Sequence, residues 1–352
     1  MQKPFFSIII PAYNLENYIA AALQSVLVQT FQDFEIIIVD DGSSDETVSI
    51  IQSFHDPRIR LVSQVNGGVS RARNAGMKKA VGAYIAFLDG DDYWYPEHLE
   101  LAADFFNRHP EILAYANRYM RDELETIPPR PPSYPESIRR LGIRGVLFMH
   151  PSSVILNSSL ASRLPPWEEA MSYGEDGLYW TRCMRGTGLI GLGGSVTSIY
   201  RQRASSAMHD EHYQHVSLHS LIAPLLNELE AMKNPKWQFA VHYLVIRELH
   251  PKRLLSLNAE ERISLTGRIR KIMHPCLNRP FLDSYMKACS ARAGMEQSFS
   301  ALMDRTMFSC KWLDRLERMG RSLFFRLQTN NGMESAASTG TTRTSARTGK
   351  CP

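Results

Sequence analysis

Residues 84–92 read YIAFLDGDD, an apolar stretch typical of a buried strand that runs directly into the carboxylates of Asp89, Asp91 and Asp92. Carboxylates this close repel one another, and burying them is costly unless a cation neutralises them. Oxygen ligands beside a flexible glycine suit a hard divalent ion such as Mg²⁺ or Mn²⁺, which commonly binds a diphosphate in turn. An isolated Asp-x-Asp more often marks a solvated acidic turn, but the segments before residue 84 favour the ion site.

Short apolar runs alternate with helical patterns through the first third of the chain. The runs at 5–10, 34–39, 59–62 and 84–88 predict strands. Helices are predicted over 15–29, over 46–54 and from residue 70, with Asn14, Ser44 and Ser70 as their capping residues. Almost wholly apolar strands separated by helices indicate βαβ units and a parallel sheet covered on both faces. The fold class is therefore α/β.

The pattern changes beyond residue 96. Pro96 suits the first turn of a helix that runs to about Arg108, and strands are predicted at 112–116 and 153–156. Five prolines within 126–135 indicate a loop between these strands, and a further helix begins near Glu175. After about residue 210 the pattern is helical, with a basic amphipathic helix over 308–327, and the tail 329–352 is predicted to be disordered.

Composition narrows the classes of function. The chain has 352 residues, of which 44% are hydrophobic, enough for a large globular domain with an extension. The net charge of +4 is small and no basic run carries interleaved aromatic residues, which argues against a nucleic-acid partner. Five widely spaced cysteines without a Cys-x-x-Cys fit free thiols in a cytoplasmic protein. We expect no signal peptide and no membrane-spanning segment.

Polar residues follow three of the predicted strands. The first strand leads into 11–14 (PAYN), the second into 40–44 (DDGSS) and the fourth into 89–92 (DGDD). Ligands of open α/β sheets bind beyond the carboxyl ends of the strands, so we expect these groups to converge. An aromatic ring, acceptor carboxylates and an ion site together suit a nucleotide, although Asp40 and Asp41 alone could instead cap a helix and Tyr13 could be interfacial.

These segments resemble family 2 glycosyltransferases with the GT-A fold. The matching stretches are 7–14 (SIIIPAYN), 39–45 (VDDGSSD), 66–76 (NGGVSRARNAG) and 88–92 (LDGDD), in the family's order, within a resemblance that covers roughly residues 5–205. The resemblance implies a Rossmann-like, mostly parallel sheet flanked by helices with a C-terminal helical extension. It also implies a catalytic domain over 1–210, with a nucleotide-binding half at about 1–116 and an acceptor half at about 117–210, followed by a helical region over 211–328.

The resemblance assigns the donor side of the site. It implies that Pro11 and Tyr13 line the nucleoside pocket, that Asp40 pairs with the uracil edge, and that Arg73, with Arg71 as second candidate, approaches the nucleotide. In the Asp-x-Asp pair, Asp91 would be the metal ligand for Mn²⁺ or Mg²⁺. Asp89 would lie towards the ribose or the sugar. Asp92, in the same acidic loop (residues 89–92), is a further candidate site residue.

The family's catalytic base lies in an acidic pair about 80 residues further on, and the segment 173–180 (YGEDGLYW) supplies one. Asp176 is the candidate base, with Glu175 as the second candidate. An inverting transfer needs one base to take the proton from the acceptor hydroxyl as it attacks the anomeric carbon. Taken alone, both residues could simply complement the dipole of the helix that they begin.

Downstream candidates rest on a weaker match at 200–209. Arg201 or Arg203 is expected near the diphosphate, and His209 near the diphosphate or the metal, with a solvated loop as the alternative for all three. His150, before Pro151, falls where the acceptor pocket should form, although a lone histidine before a strand is more often structural.

The resemblance therefore predicts an inverting, metal-dependent glycosyltransferase that moves a sugar from a nucleotide-sugar, in first place a UDP-sugar, to a glycan or lipid-linked acceptor in surface polysaccharide synthesis. The alternatives are a nucleotidyltransferase and a non-catalytic relative that binds a nucleotide-sugar. A homodimer is a further expectation. The helix at 308–327 would pack on the protein or lie on the inner face of the cell membrane.

Overall fold

The computed structural model describes residues 3–122, 133, 135–139, 149–171, 173–202 and 218–231, together with isolated positions near 245 and 264–267. These residues form a nine-stranded sheet with the order β3-β2-β1-β4-β8-β6-β9-β5, and β7 pairs with β9 outside this path. Helices flank the sheet, so the predicted α/β fold class is confirmed. The predicted division into a domain over 1–210, a helical region and a tail stays a prediction.

The first half of the sheet, formed by residues 6–87, follows the predicted alternation closely. Its strands pair in parallel in the order β3-β2-β1-β4. The elements are β1 (Phe6–Ala12), α1 (Ile19–Leu27), β2 (Phe34–Asp40), α2 (Thr47–Gln52), β3 (Ile59–Ser63), α3 (Val69–Lys79) and β4 (Tyr84–Phe87).

The second half extends this sheet with mixed pairing. β8 lies antiparallel to both β4 and β6, β9 lies parallel to β6, and β5 and β7 lie antiparallel to β9. The parallel sheet expected from the βαβ pattern thus holds for the first half and not for the second. The elements are β5 (Tyr93–Trp94), α4 (His98–Arg108), β6 (Ala114–Asp122), β7 (Ser137–Arg139), a 3₁₀ turn (Pro151–Ser153), β8 (Val154–Asn157), α5 (Ser158–Ala161), α6 (Glu175–Thr187), β9 (Ile190–Arg201) and α7 (Leu218–Ala231).

Both faces of β1, β2 and β4 are buried, whereas the edge strand β3 is only partly buried. Because successive side chains of a strand point to opposite faces, Ile36 and Ile38 pack with α1, α2 and α4, whereas Ile37 and Val39 pack with Ala72 of α3. This explains why the strands are apolar at nearly every position. It also places the N-terminal part of α3 against the sheet, beside the carboxyl ends of β1 and β2.

The three predicted helix caps are wrong. Asn14 has a left-handed backbone with φ of +50°, and its side-chain oxygen accepts a hydrogen bond from the Ser44 N–H at 2.9 Å, while α1 begins only at Ile19. Ser44 lies three residues before α2, and Ser70 lies inside α3. Asn14 and Ser44 instead join the loops that follow β1 and β2, and so they shape the edge at which the sheet's polar residues meet.

Among the described residues, no helix is long and apolar enough to span a membrane. The predicted amphipathic helix at 308–327 and the tail at 329–352 lie outside the described residues, as does most of the region 211–328.

Candidate active site

The nucleoside candidates lie where the first two strands end. Pro11 is buried in β1, and Tyr13, one residue after the strand, is 49% exposed. Asp40 ends β2 and is buried, and one of its carboxylate oxygens accepts a hydrogen bond from the Ser43 N–H at 3.0 Å. β1 and β2 are in register at this edge, so the accessible ring and the carboxylate stand on neighbouring strands.

Asp41 differs from its neighbour Asp40. Its carboxylate accepts hydrogen bonds from the Gln64 side chain and from the backbone N–H groups of Gly67 and Gly68, at 2.7–3.1 Å. Asp41 therefore fixes the glycine loop that leads into α3. Because those donors satisfy Asp41, Asp40 is the member of the pair suited to a ligand.

The acidic loop after β4 is a tight turn. The Asp92 N–H donates to the Asp89 carbonyl at 2.9 Å, so Gly90 and Asp91 are its two central residues. Asp89 and Asp91 are partly accessible, whereas Asp92 is buried. The three carboxylates thus occupy different environments although they lie within four positions of one another.

Asp92 is bonded on both carboxylate oxygens. One accepts from the Arg201 N–H at 3.0 Å, and the other accepts from the Ser152 hydroxyl. Burial, followed by repulsion from Asp91 and Asp89, raises the pKa of Asp92 well above its ordinary value. Asp92 therefore ties the acidic loop to the end of β9 and to the 3₁₀ turn.

Arg73 of α3 connects the acidic loop to Glu175, the second candidate for the base, which is next to Asp176. Its guanidinium donates to Asp89 at 2.7 Å and to Glu175 at 3.1 Å, and it lies over the ring of Trp167 at 4.5 Å. Burial acts to lower the pKa of Arg73, but the two carboxylates outweigh it and raise that pKa. Arg71, the second candidate, is exposed on the same helix, so the geometry distinguishes the two arginines.

Trp167 is held under this guanidinium by the residue that follows Arg73. The Asn74 side chain donates to the Trp167 carbonyl and accepts from the Trp167 N–H, both at 2.9 Å. The indole also stacks on Tyr179 with 4.0 Å between ring centroids. Consecutive residues of α3 thus bind the acidic groups and the aromatic platform beneath them.

Glu175 and Asp176 begin α6, directly after Gly174, whose φ of +74° is left-handed. Glu175 is buried against Arg73; burial and the nearby charge of Asp176 together raise the pKa of Glu175 to about 7. Asp176 is half-buried, and one of its oxygens accepts from the Gly177 N–H at 2.6 Å. Glu175 is therefore held against Arg73, and Asp176 is the more accessible carboxylate of the pair.

The acidic loop offers the oxygen ligands that a divalent ion prefers. Asp89, Asp92 and His150 each bring one ligand atom to within 4.8 Å of the others. All three already have partners, because Asp89 binds Arg73, both oxygens of Asp92 accept hydrogen bonds, and His150 Nδ1 accepts from the Ser152 N–H at 3.4 Å. We therefore regard the partly accessible side of the loop, with Asp91, as the better fit for an ion.

The downstream candidates are only partly described. Arg201 ends β9; its backbone bonds Asp92, and its guanidinium lies over the ring of Tyr18 at 5.5 Å. Arg203 and His209 lie outside the described residues.

Comparison with known proteins agrees with this arrangement. Residues 7–163, which contain β1, β2, β4 and the acidic loop, match the model of glycosyl transferase family 2. Over these residues the chain carries the sequence pattern of that family. An uncharacterized glycosyltransferase of Bacillus subtilis, EpsJ, is 50% identical over 92 residues, which are 26% of this chain and 27% of that protein. An uncharacterized glycosyltransferase of Rickettsia prowazekii is 31% identical over 191 residues, 52% of this chain and 59% of its own.

Two solved structures share the fold. Residues 1–349 of S. aureus TarS, in complex with UDP-GlcNAc, superpose with a TM-score of 0.63 at 20% identity, covering 86% of this chain and 91% of that one. The mannosyltransferase PcManGT of Pyrobaculum calidifontis, in complex with GDP-Man and Mn²⁺, gives 0.52 at 16% identity, covering 88% of each chain. Both confirm the GT-A fold predicted from the motifs.

The chain spans less than two thirds of these two curated relatives, 27% of the Bacillus protein and 59% of the Rickettsia one. Three residues of its site were not predicted from the sequence: Asn74, Ser152 and Trp167. Asn74 lies inside the matching segment 66–76 and Ser152 is two residues from His150, so a local signal existed for both. Nothing near Trp167 in the sequence marks it.

Proposed function

We propose that the protein is an inverting, metal-dependent glycosyltransferase that moves a sugar from a UDP-sugar to a hydroxyl of a glycan or lipid-linked acceptor in surface polysaccharide synthesis. One observation carries the proposal: Arg73 binds both Asp89 of the acidic loop and Glu175, which adjoins Asp176. Arg73 therefore links the acidic loop, which would hold the ion for the donor diphosphate, to the carboxylate next to the candidate base, although 102 residues separate Arg73 from Glu175.

The donor's nucleoside would lie at the ends of β1 and β2. Tyr13 is accessible enough to contact a base, Pro11 would line the pocket beside it, and Asp40 would accept from the N–H of uracil. Asp89, fixed by Arg73, would lie near the ribose or the sugar. The neighbouring structures contain UDP-GlcNAc and UDP in one protein and GDP-Man in another, which supports a nucleotide-sugar donor without naming the sugar.

Asp91 would hold the divalent ion, Mn²⁺ or Mg²⁺, at the centre of the acidic turn. When bound, such an ion supplies positive charge that stabilises the departing diphosphate. The rest of the loop contributes fixed geometry, since the flanking carboxylates already bind Arg73, Ser152 and the Arg201 N–H.

Asp176 would act as the base, taking the proton from the acceptor hydroxyl as that oxygen attacks the anomeric carbon from the face opposite the diphosphate. A positioned base of this kind contributes about 10²–10⁴ in rate. Glu175 is less suited to this role, because burial, and then the nearby charge of Asp176, raise its pKa to about 7 although Arg73 acts to lower it. Of Glu175 and Asp176, the more accessible Asp176 would therefore take the proton.

Two other functions remain as alternatives. A nucleotidyltransferase usually needs a glycine-rich basic loop after the first strand to hold a triphosphate, and residues 11–14 contain neither glycine nor a basic residue. A non-catalytic relative would bind the nucleotide-sugar without turnover. Release of UDP from one of a panel of UDP-sugars would favour the glycosyltransferase. Release of pyrophosphate from UTP would favour the nucleotidyltransferase. Binding of a UDP-sugar without any release would favour the non-catalytic relative.

The donor site is tested by thermal unfolding with UDP, GDP, CDP, dTDP and ADP, each with Mn²⁺ or with EDTA. The variant is Asp91→Ala, and Asp104→Ala, an exposed carboxylate on α4, is the matched control. We expect UDP with Mn²⁺ to stabilise the wild type and the control by about 2.7 kcal/mol at a hundred times the dissociation constant. Stabilisation by UDP that persists in EDTA or in Asp91→Ala would refute the role of an Asp91-bound ion. The absence of stabilisation by any of the nucleotides would refute the donor site.

The acceptor, a homodimer, a cytoplasmic location and membrane contact through 308–327 remain predictions from the sequence. Deleting 308–352 should reduce sedimentation of the protein with vesicles that contain anionic lipid; unchanged sedimentation would reject the membrane contact.

A further inference from the structure

Ser152 attaches both ends of the acidic turn to the second half of the sheet, in addition to the bond from the Arg201 N–H to Asp92. Ser152 is fully buried in the 3₁₀ turn that precedes β8. Its hydroxyl accepts a hydrogen bond from the Asp89 N–H at 3.1 Å and donates one to the carboxylate of Asp92. A single hydroxyl therefore binds both the first and the last residue of the turn.

The two residues between those attachments are Gly90 and Asp91. The turn is already closed by the hydrogen bond from the Asp92 N–H to the Asp89 carbonyl. That bond fixes the shape of the turn but not its position relative to the sheet. The bonds to Ser152, together with those of Arg73 to Asp89 and of the Arg201 N–H to Asp92, fix its position. The 3₁₀ turn continues into β8, which pairs with β4 itself.

Ser152 is itself held in place. Its carbonyl accepts from the indole N–H of Trp94 at 2.6 Å, and Trp94 is fully buried. A hydroxyl on a fixed backbone, in a buried site, loses little further freedom when it forms its own hydrogen bonds. In other proteins, hydrogen-bonding partners of this kind hold metal ligands in a fixed orientation.

We infer that Ser152 is a positioning residue that sets the location of Asp91 for the ion and the donor diphosphate, by holding Asp89 and Asp92 with one hydroxyl. This role rests on the proposed function. Ser152 does not touch the ion or the donor; it acts through the acidic turn. Asp92, with both oxygens bonded, belongs to the same support and is not a ligand of the ion.

The neighbouring Ser153 provides a matched control. It lies in the same 3₁₀ turn and is also buried, but its hydroxyl donates to the His150 carbonyl at 2.8 Å and does not bond the acidic turn. Ser152→Ala and Ser153→Ala each remove one buried hydroxyl from consecutive positions. Only the former should move the acidic turn.

The experiment titrates Mn²⁺ into the full-length protein with saturating UDP and measures the free ion by its electron paramagnetic resonance signal. We expect Ser152→Ala to weaken Mn²⁺ binding by about 10- to 100-fold, the usual cost of losing a residue that orients a ligand, and Ser153→Ala to change it by less than about threefold. Ser152→Thr, which keeps the hydroxyl, should recover most of the affinity. Ser152→Cys, a near-isostere with a weak donor, replaces the alanine variant if that one does not fold.

The outcomes separate this role from the proposed function. If the wild type binds no Mn²⁺ with UDP, the proposed function fails and Ser152 loses its role with it. If the wild type binds Mn²⁺ and Ser152→Ala binds it as Ser153→Ala does, only the inference about Ser152 is wrong. Equal weakening in both serine variants, or no recovery in Ser152→Thr, would likewise show a general packing effect and overturn the positioning role.

Discussion

The two halves of the sheet build their parts of the site in different ways. In the parallel half, the bond to Asp40 comes from Ser43, three residues away. In the mixed half, the decisive contacts join distant segments: Glu175 meets Arg73 across 102 residues, and the Arg201 N–H meets Asp92 across 109. The donor side is therefore largely encoded by local motifs, whereas the base and the supports of the acidic turn depend on the complete tertiary fold.

The largest expected effect separates binding from chemistry. Asp176→Asn should lower kcat by about 10²–10⁴ because the base is lost, while the affinity for UDP with Mn²⁺ stays within about twofold of wild type. Asp91→Ala should instead abolish Mn²⁺-dependent UDP binding. Calorimetric binding and steady-state kinetics on both variants test this division. Full turnover in Asp176→Asn would place the base elsewhere.

The next effect concerns the residue that joins the halves. Arg73→Met leaves Asp89 and Glu175 without their shared cation, and breaking a buried ion pair in this way costs about 3–5 kcal/mol of unfolding free energy. Arg71→Met, at an exposed position of the same helix, should change it by less than about 0.5 kcal/mol. Urea unfolding measures both.

A double variant sharpens that test. Adding Glu175→Gln to Arg73→Met removes one of the two stranded charges and should restore part of the lost stability, since contacting residues are not additive. Strict additivity of the two substitutions would show that Arg73 and Glu175 are not coupled.

A smaller effect is expected at the clamp on Trp167. Asn74→Ala removes the partners of the Trp167 N–H and carbonyl, and each buried backbone group left unpaired costs about 1–3 kcal/mol unless water replaces the bond. Asn107→Ala, on the exposed side of α4, is the control and should be nearly neutral. If the two variants unfold at the same urea concentration, Asn74 does not hold the second half on α3.

The smallest effect is a pH dependence from Glu175. Its pKa of about 7 in the folded protein exceeds its ordinary value of 4.5, so the folded state binds the proton more tightly. Its contribution to stability is then complete below about pH 4.5 and is lost as the pH rises through 7. Glu175→Gln cannot ionise, so its Tm relative to wild type should be about 5–10 °C higher at pH 8 than at pH 5, the shift for about 2–3 kcal/mol.

Asp104→Asn, an exposed carboxylate, serves as the reference for that measurement. A constant difference in Tm between Glu175→Gln and wild type across this range would mean that Glu175 does not titrate there.

Much of the first half followed from the sequence because its strands alternate with helices and carry polar residues at their ends. The helix starts were wrong because Asn14 and Ser44 bond each other's loop, a tertiary contact that capping preferences do not describe. The antiparallel pairing of β8 and the support from Ser152 could not be foreseen, since both depend on which distant segment lies beside β4. For the site residues, the structure separated Arg73 from Arg71 by burial and by the bonds of Arg73 to Asp89 and Glu175.

The pairing of Arg73 with Glu175 also bears on the order in which the chain is made. During synthesis, α3 and the first four strands emerge about a hundred residues before Glu175 and nearly as many before Trp167. Until then the guanidinium of Arg73 has neither its second carboxylate nor its aromatic support, and an incompletely matched charge resists burial. A nascent chain would therefore carry the donor motifs well before it could assemble the proposed donor site, and on that proposal a nucleotide would stabilise only a chain that has reached α6.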